Sequence, residues 1–325
     1  MEGLQSVWGM QPALYLFLGG MGAGAFIAAM YVYFTNKEAA RRTAVVSVIA
    51  SVACLVVGLL LLLSELINPL RGMLMWQSFS NITSCMMLGA WIVFTAVVVF
   101  LLTAICIGKK SVAIVARVFK NFETSAPKAA RVLGVIGIVM GVCVAVYTGI
   151  LLMSSPGVPF WNTLLLPLLF TVSALDTGIA LVEIVAYVFR KKDAVSHETT
   201  RVLEVSVVAL VVAELIVLAV FLGGFIGADV ASSPEASMAN QSASLLVSGD
   251  LGMYFWVLVI ALGLVVPLVA SALTLSGKTK KGSHAAVLAG ASGALVGGCA
   301  LRFLVLLAGT HTDPVMSAVI KILGN

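Results

Sequence analysis

Eight apolar runs, each long enough to cross a lipid bilayer, occupy most of this chain. A bilayer core about 30 Å thick is spanned by around 20 residues of α-helix, because each residue adds about 1.5 Å. Hydrophobic residues make up 61% of the sequence and charged residues 10%, which excludes a soluble domain with a polar surface. The sequence therefore predicts an all-α integral membrane protein with a single domain over residues 1–325. The eight predicted transmembrane helices cover about 12–34, 44–67, 84–107, 130–153, 161–189, 202–226, 251–276 and 285–309.

The basic residues predict how these helices are oriented. Of the 19 Lys and Arg residues, all but Arg71, Arg302 and Lys321 fall in alternate loops on one side of the bundle. By the positive-inside rule those loops are cytoplasmic, and both termini are extracytoplasmic. The net charge of +5 therefore reflects topology, and we predict no nucleic-acid partner.

The longest basic loop contains a segment of mixed character. Residues 111–122 combine Val, Ile and Phe with Arg117 and Lys120. This pattern predicts either a short amphipathic helix on the cytoplasmic membrane surface or an ordinary basic loop.

The positions of His and Cys argue against a metal cofactor on this chain. A membrane haem of the b type needs two His side chains inside the bundle. His197 and His284 lie in or beside cytoplasmic loops, and His311 lies beyond the last helix. The Cys residues lack the spacing of an iron–sulfur or zinc site, so we predict no haem, no iron–sulfur cluster and no other metal. The five Cys are Cys54, Cys85, Cys106, Cys143 and Cys299.

The first predicted helix contains a stretch with little side-chain bulk. Between Tyr15 and Phe26 the sequence reads YLFLGGMGAGAF, with glycine at positions 19, 20, 22 and 24. Small residues let a neighbouring helix approach closely, and they equally admit a flat ring beside the backbone. The segment alone leaves both interpretations open, with helix packing the commoner of the two.

A carboxylate and a cation flank the end of the second predicted helix. Asn68 and Pro69 end this helix near the outer interface, because proline cannot continue it. Glu65 then lies one or two turns below the surface, and Arg71 follows in the loop. Glu65 is placed either to pass a proton between a buried ligand and outer water or to form a salt bridge at the helix end.

Four charged residues lie at membrane depth, where ionised groups are costly and usually functional. Asp176 and Glu183 are seven residues apart on the fifth helix, hence on one face and about 10 Å apart. Glu214 lies midway along the sixth helix, and Arg302 lies in the outer half of the eighth. These residues form either a proton path or a buried ion pair. We favour a pair with Arg302, because it is the only cation at depth.

Motifs spread over the whole chain together resemble one family. They are the Tyr15–Phe26 stretch, Glu65 with Pro69-Leu70-Arg71, Ser84–Trp91 (SCMMLGAW), Tyr147-Thr148-Gly149, Pro159-Phe160-Trp161, Phe255-Trp256, and Gly297-Gly298 with Leu301-Arg302. Each motif alone is weak, but their order on eight helices resembles the NrfD-like family, which includes the membrane subunit of polysulfide reductase. Members of that family are eight-helix, quinone-reactive anchors of molybdenum and iron–sulfur oxidoreductases.

The resemblance implies a quinone site near the outer surface. Tyr147 would donate a hydrogen bond to a quinone carbonyl, and Glu65 would be the catalytic proton acceptor. The other residues implied for a site that binds menaquinone or another quinone are Tyr15, Gly19, Gly20, Gly22 and Arg71. The resemblance also implies two partners, an extracytoplasmic four-cluster ferredoxin-like iron–sulfur subunit and a molybdopterin catalytic subunit. The complex would lie in the cytoplasmic membrane of a bacterium or an archaeon.

Two functions from different classes follow. The first is a quinol- or quinone-binding membrane subunit of a respiratory oxidoreductase, whether or not this protein itself carries out quinol oxidation. The second is a secondary transporter, since transporters also hold a few carboxylates and an Arg at mid-depth and break their helices with Gly or Pro. Pro167 and Pro267 fall within predicted helices and suit that alternative.

Overall fold

The computed structural model of the protein describes residues 9–36, 38–65, 85–119, 121–155, 157–227, 234–276 and 283–310. These residues form helices and short connections without a strand, and eight helices are long and apolar enough to cross a membrane. The predicted all-α membrane fold is therefore confirmed. The helices are α1 (Met10–Asn36), α2 (Arg41–Glu65), α3 (Cys85–Ile107), α4 (Lys109–Ala116), α5 (Phe122–Met153), α6 (Leu165–Phe189), α7 (His197–Ile226), α8 (Pro234–Val247), α9 (Gly252–Tyr254), the π-helical segment (Phe255–Val265), α10 (Val266–Leu275) and α11 (Ser283–Ala308).

The two ends of the bundle differ in charge. At one end, called the basic end below, α1 ends and α2 begins, and Arg41, Lys109 and Arg190 lie there. The other end, called the opposite end below, holds the start of α1 and the end of α11. Both elements are at the same end because the described residues form an even number of spans. The side of the membrane on which each end lies stays a prediction.

Helix α1 occupies the centre of the bundle. It packs most extensively on α2 and α6 and also contacts α5 and α11, and almost all of its central residues are buried. Apolar side chains on α3, α5 and α7, such as Phe94, Val132 and Ile216, point outward and are exposed. Exposed apolar faces of this kind are expected where helices contact lipid.

Three helices begin four or more residues away from the predicted positions. Helix α5 begins at Phe122 and α7 at His197, each earlier than predicted, because polar residues extend these helices beyond their apolar runs. Ser196 caps α7, and its Oγ accepts a hydrogen bond from the Thr199 amide at 3.2 Å. Helix α6 begins later than predicted because Trp161 folds inward, and its Nε1 donates to the Val305 carbonyl at 3.0 Å.

The basic loop after α3 contains the short helix α4, which forms the first half of segment 111–122 together with Lys109 and Lys110. The structure therefore favours the helical alternative there. Ile114 faces outward on α4 with 61% of its surface exposed, as an amphipathic helix at a membrane surface requires.

Candidate functional site

A fully buried arginine lies at the centre of the candidate site. Arg302 is on α11, about 9 Å from the opposite end of that helix at about 1.5 Å per residue. Its Nη1 donates to Ser173 Oγ at 2.7 Å and to the Gly298 carbonyl at 2.8 Å. Its Nη2 donates to the Phe170 carbonyl at 3.2 Å, and the Phe170 ring centre lies 5.2 Å from the guanidinium carbon. Neutral oxygens and an aromatic face therefore surround the cation.

The cation is bridged to a carboxyl group and not directly paired with one. Among the described residues, both ion pairs within 4.0 Å involve Glu38 at the basic end. Ser173 joins Arg302 to Glu214, since its hydroxyl bonds both the guanidinium and the Glu214 carboxyl group. Asp176 attracts Arg302 electrostatically, but its Oδ1 has no hydrogen-bond partner in the described part of the chain. Ser173 lies one helical turn closer to Arg302 than Asp176 does. Its Oγ accepts the guanidinium hydrogen bond that a direct ion pair would use.

Four carboxyl groups form a series between α6 and α7. Asp176 and Glu214 lie near mid-membrane, about 17 and 18 Å from the opposite ends of their helices. Glu183 and Glu204 lie about 9 and 10 Å from the basic ends of the same helices. Asp176, Glu183 and Glu204 each have one buried oxygen without a partner among the described residues. Unpartnered buried oxygens are costly and typical of functional sites.

Cavities connect this series to the basic end. A cavity of about 290 Å³, called the vestibule below, is lined by Glu183 and Glu204 among others. A smaller cavity of about 10 Å³ shares these two residues and reaches Asp176, with room for about one water molecule. Beyond Asp176, the space beside Ser173 and Glu214 leaves no room for water, and it is called the constriction below. A polar route thus runs from the basic end to Arg302 and is closed at one point.

The constriction is bordered by irregular helical backbone. Val259, Gly263 and Leu264 of the π-helical segment line it. Gly263 packs so closely on Gly297 of α11 that a Cβ atom at either position would overlap the other backbone. Because π-helical turns interrupt the regular hydrogen-bond ladder and are frequent at functional sites, this wall is the least regular part of the route.

Two buried tyrosines form a hydrogen-bonded pair toward the opposite end. The hydroxyl groups of Tyr15 on α1 and Tyr147 on α5 bond each other. Gly89 on α3 makes room for the Tyr147 ring, since a Cβ atom there would overlap the phenol. Gly58 on α2 lies against the Tyr15 ring, where a Cβ atom would come within 3.4 Å. Four helices therefore enclose the pair.

The glycine stretch of α1 brings helices together. Gly22 packs against α2, and Gly24 packs against the backbone of α6. Gly20 lies beside Arg302, and Gly19 faces α5. The packing interpretation is supported at Gly22 and Gly24, while a quinone-binding role for Gly19, Gly20 and Gly22 stays a prediction.

Two predicted site residues lie outside what the structure describes. Arg71 falls in the gap 66–84. Glu65 is the last residue of α2, and only its backbone is described. The predicted roles of both residues stay predictions.

Sequence reasoning did not assign the polar residues that complete the route. Ser173 stands three residues before Asp176, and this helical spacing was its only signal. Glu204 lies near the basic start of α7 and is not among the predicted residues. Ser271, which bonds the Glu204 carboxyl group, carried no signal at all.

Nearly the whole sequence matches a known family model. Residues 2–314 match the model described as polysulphide reductase, NrfD. The protein is 29% identical to the C subunit of polysulfide reductase from Wolinella succinogenes, over 93% of its own length and 94% of that subunit. It is 26% identical to protein NrfD of Escherichia coli, over 94% of its own length and 96% of that protein. The resemblance seen in the motifs is thereby confirmed, and the chain belongs to the polysulphide reductase NrfD family.

Proposed function

We propose that this protein is the quinone-reactive membrane subunit of a respiratory oxidoreductase complex. Its family supports a membrane subunit of such a complex. The observation that carries the quinone assignment is the buried Tyr15–Tyr147 pair. With Tyr147 as the donor, the Tyr15 hydroxyl keeps its own hydrogen for a carbonyl acceptor. The donor chemistry of the pair therefore fits one oxygen of a quinone.

Menaquinol, when bound, supplies two electrons and two protons. Tyr15 and Tyr147 orient the reacting oxygen, with Arg71 completing the site. Glu65 at the end of α2 accepts one of the two protons, and the proton route described next accepts the other. An extracytoplasmic four-cluster iron–sulfur subunit receives the electrons, because in this proposal the membrane subunit itself holds no metal. A molybdopterin subunit completes the complex.

The proposal includes a proton route to the basic end. Glu183 and Glu204 exchange protons with water in the vestibule, because they line both the vestibule and the smaller cavity. Asp176 and Glu214 pass protons through the constriction, where no water fits between them. Arg302 holds Ser173 and thereby orients Glu214.

Two observations favour this function over a secondary transporter. The first is the family assignment. The second is the continuity of the spans: Pro167 lies in the first turn of α6, and the backbone stays helical from the π-helical segment through Pro267 into α10. Neither separates a described span into two half-helices, which is the feature that builds many transporter sites.

The proposal is tested by purifying the complex and extracting bound quinone with organic solvent. We expect menaquinone in the extract and quinol-dependent electron transfer by the complex. An empty extract together with absent quinol oxidation would leave a structural anchor and overturn the proposal.

Replacing Tyr147 by Phe is expected to weaken quinone binding by about 0.5–1.5 kcal/mol, or about two- to tenfold, because the Tyr15 hydroxyl loses the hydrogen bond that orients it toward the quinone while the ring at position 147 remains. The measurement is the binding of a quinone analogue to the purified complex. Tyr254→Phe removes a hydroxyl from an exposed ring and serves as the control. Unchanged affinity in Tyr147→Phe would remove this residue from the site.

The isolated subunit is expected to contain neither haem nor iron. Among the described residues, no three His, Cys, Asp or Glu side chains converge into a metal site. The measurements are the absorption spectrum and the iron content of the purified subunit, with the intact complex as the positive control for iron. A Soret band or stoichiometric iron in the isolated subunit would contradict this prediction.

A further inference from the structure

We propose that a second cavity, at the basic end, binds the phosphate group of an anionic phospholipid. This cavity, called the lateral pocket below, lies between α1, α3, α4, α5 and the start of α2 and has a volume of about 560 Å³. Pockets for small ligands commonly measure about 300–1,000 Å³. The lateral pocket shares no lining residue with the vestibule or the constriction, so it is separate from the proton route.

Two cations on the wall of the lateral pocket are held in place by one carboxylate. Glu38 contacts Arg41 Nη1 at 2.5 Å and Lys109 Nζ at 2.9 Å. Arg41 is further fixed because its Nε donates to the Ile107 carbonyl at 2.6 Å. The bond from Lys109, followed by the attraction of Arg41, lowers the pKa of Glu38, so this clamp persists at neutral pH. Lys109 keeps two N–H donors and Arg41 keeps Nη2 for another acceptor.

A third cation completes the set of donors. Arg131 on α5 lines the same pocket, and within the described residues no carboxylate forms an ion pair with it. Its guanidinium group matches two oxygens of a phosphate. Glu123 also lines the pocket and opposes an anion, so the lining holds three cations against two carboxylates. The remaining positive charge, carried by Arg131, is the one that an anion would neutralise.

The surface below the pocket indicates a lipid as the source of the phosphate. Arg131, Val135 and Val139 are four residues apart along α5 and share one face. Val135 and Val139 are 53% and 57% exposed, so an apolar strip continues from the cation into the membrane-facing surface. An acyl tail can pack against such a strip, whereas a free phosphate makes no contact with it. Basic pockets at the cytoplasmic ends of membrane helices suit anionic lipid headgroups.

The test uses the delipidated intact complex and three probes: phosphatidylglycerol, phosphatidylcholine and inorganic phosphate. Native mass spectrometry measures the bound lipid, and thermal melting measures the response to each probe. We expect retention of phosphatidylglycerol by the wild-type complex and about tenfold weaker retention by Arg131→Gln. Arg131→Lys should show an intermediate value, because it keeps the charge and loses the planar fork. The control is Arg201→Gln, which removes an exposed cation from α7 and should bind as the wild type does.

Each other outcome overturns the proposal. Equal retention of phosphatidylcholine would show that only the acyl tail is held. Equal stabilisation by inorganic phosphate would assign the pocket to a soluble anion. Retention of phosphatidylglycerol that is unchanged in Arg131→Gln would place the lipid elsewhere on the surface. Since Arg131 is exposed, its variants are expected to fold, and their melting temperature without lipid provides the check.

Discussion

Asp176→Asn is expected to slow proton exchange between the quinone site and the basic side about 100-fold while the complex still assembles. Asn has nearly the same shape as Asp but neither accepts nor releases a proton, and one positioned acid or base commonly contributes about 10²–10⁴-fold. Asp176 borders both the smaller cavity and the constriction, so no other described carboxyl group can replace it. The measurement is quinol-driven proton movement in proteoliposomes with a trapped pH dye.

The same variant separates the proton route from a structural ion pair. Removing one partner of a direct buried pair costs about 3–5 kcal/mol, because the other charge is stranded. Arg302 instead donates to Ser173 and to main-chain oxygens, so Asp176→Asn should melt close to the wild-type temperature. Asp250→Asn, the same change at an exposed position, is the control for both readouts. Unchanged turnover and proton signal in an assembled Asp176→Asn complex would refute the route, and a large loss of stability would restore the ion pair.

Gly178→Ala is expected to destabilise the bundle by about 1–3 kcal/mol or to prevent its assembly. A Cβ atom at Gly178 on α6 would overlap the backbone of Gly24 and Ala25 on α1. Backbone atoms cannot turn aside as side chains can, so α1 and α6 must separate. Because α1 is the central helix, the separation disturbs its contacts with several neighbours.

Gly223→Ala is the matched control for this prediction. It introduces the same methyl group on α7, where nothing lies within 4 Å of the new atom. Alanine is the better helix former by about 1 kcal/mol, so this variant should be neutral or slightly more stable. Melting temperature in detergent and yield of assembled complex are the measurements. Equal melting temperatures for the two variants would contradict this prediction, because they would show that the α1–α6 contact accommodates the added methyl group.

The sequence alone determined the fold class and the place of every span. This was possible because a bilayer imposes both a length and an apolar composition on each crossing helix. Helix starts differed most from the prediction where polar residues or side-chain hydrogen bonds decide them. Helix α7 starts at His197 because Ser196 caps it, and α6 starts at Leu165 because Trp161 is bonded to Val305.

Tertiary structure alone decided which polar groups meet. Arg302 was visible as the deep cation, but its partner Ser173 lies 129 positions earlier on another helix. The resemblance placed Tyr15 and Tyr147 in one site, but only the structure shows that their hydroxyl groups bond each other. A membrane helix is apolar on nearly all sides, so hydrophobic periodicity does not show which face points inward. The rotation of each helix about its axis is fixed only when small residues such as Gly24 and Gly178 bring two backbones into contact, and that rotation selects the hydrogen-bond partners.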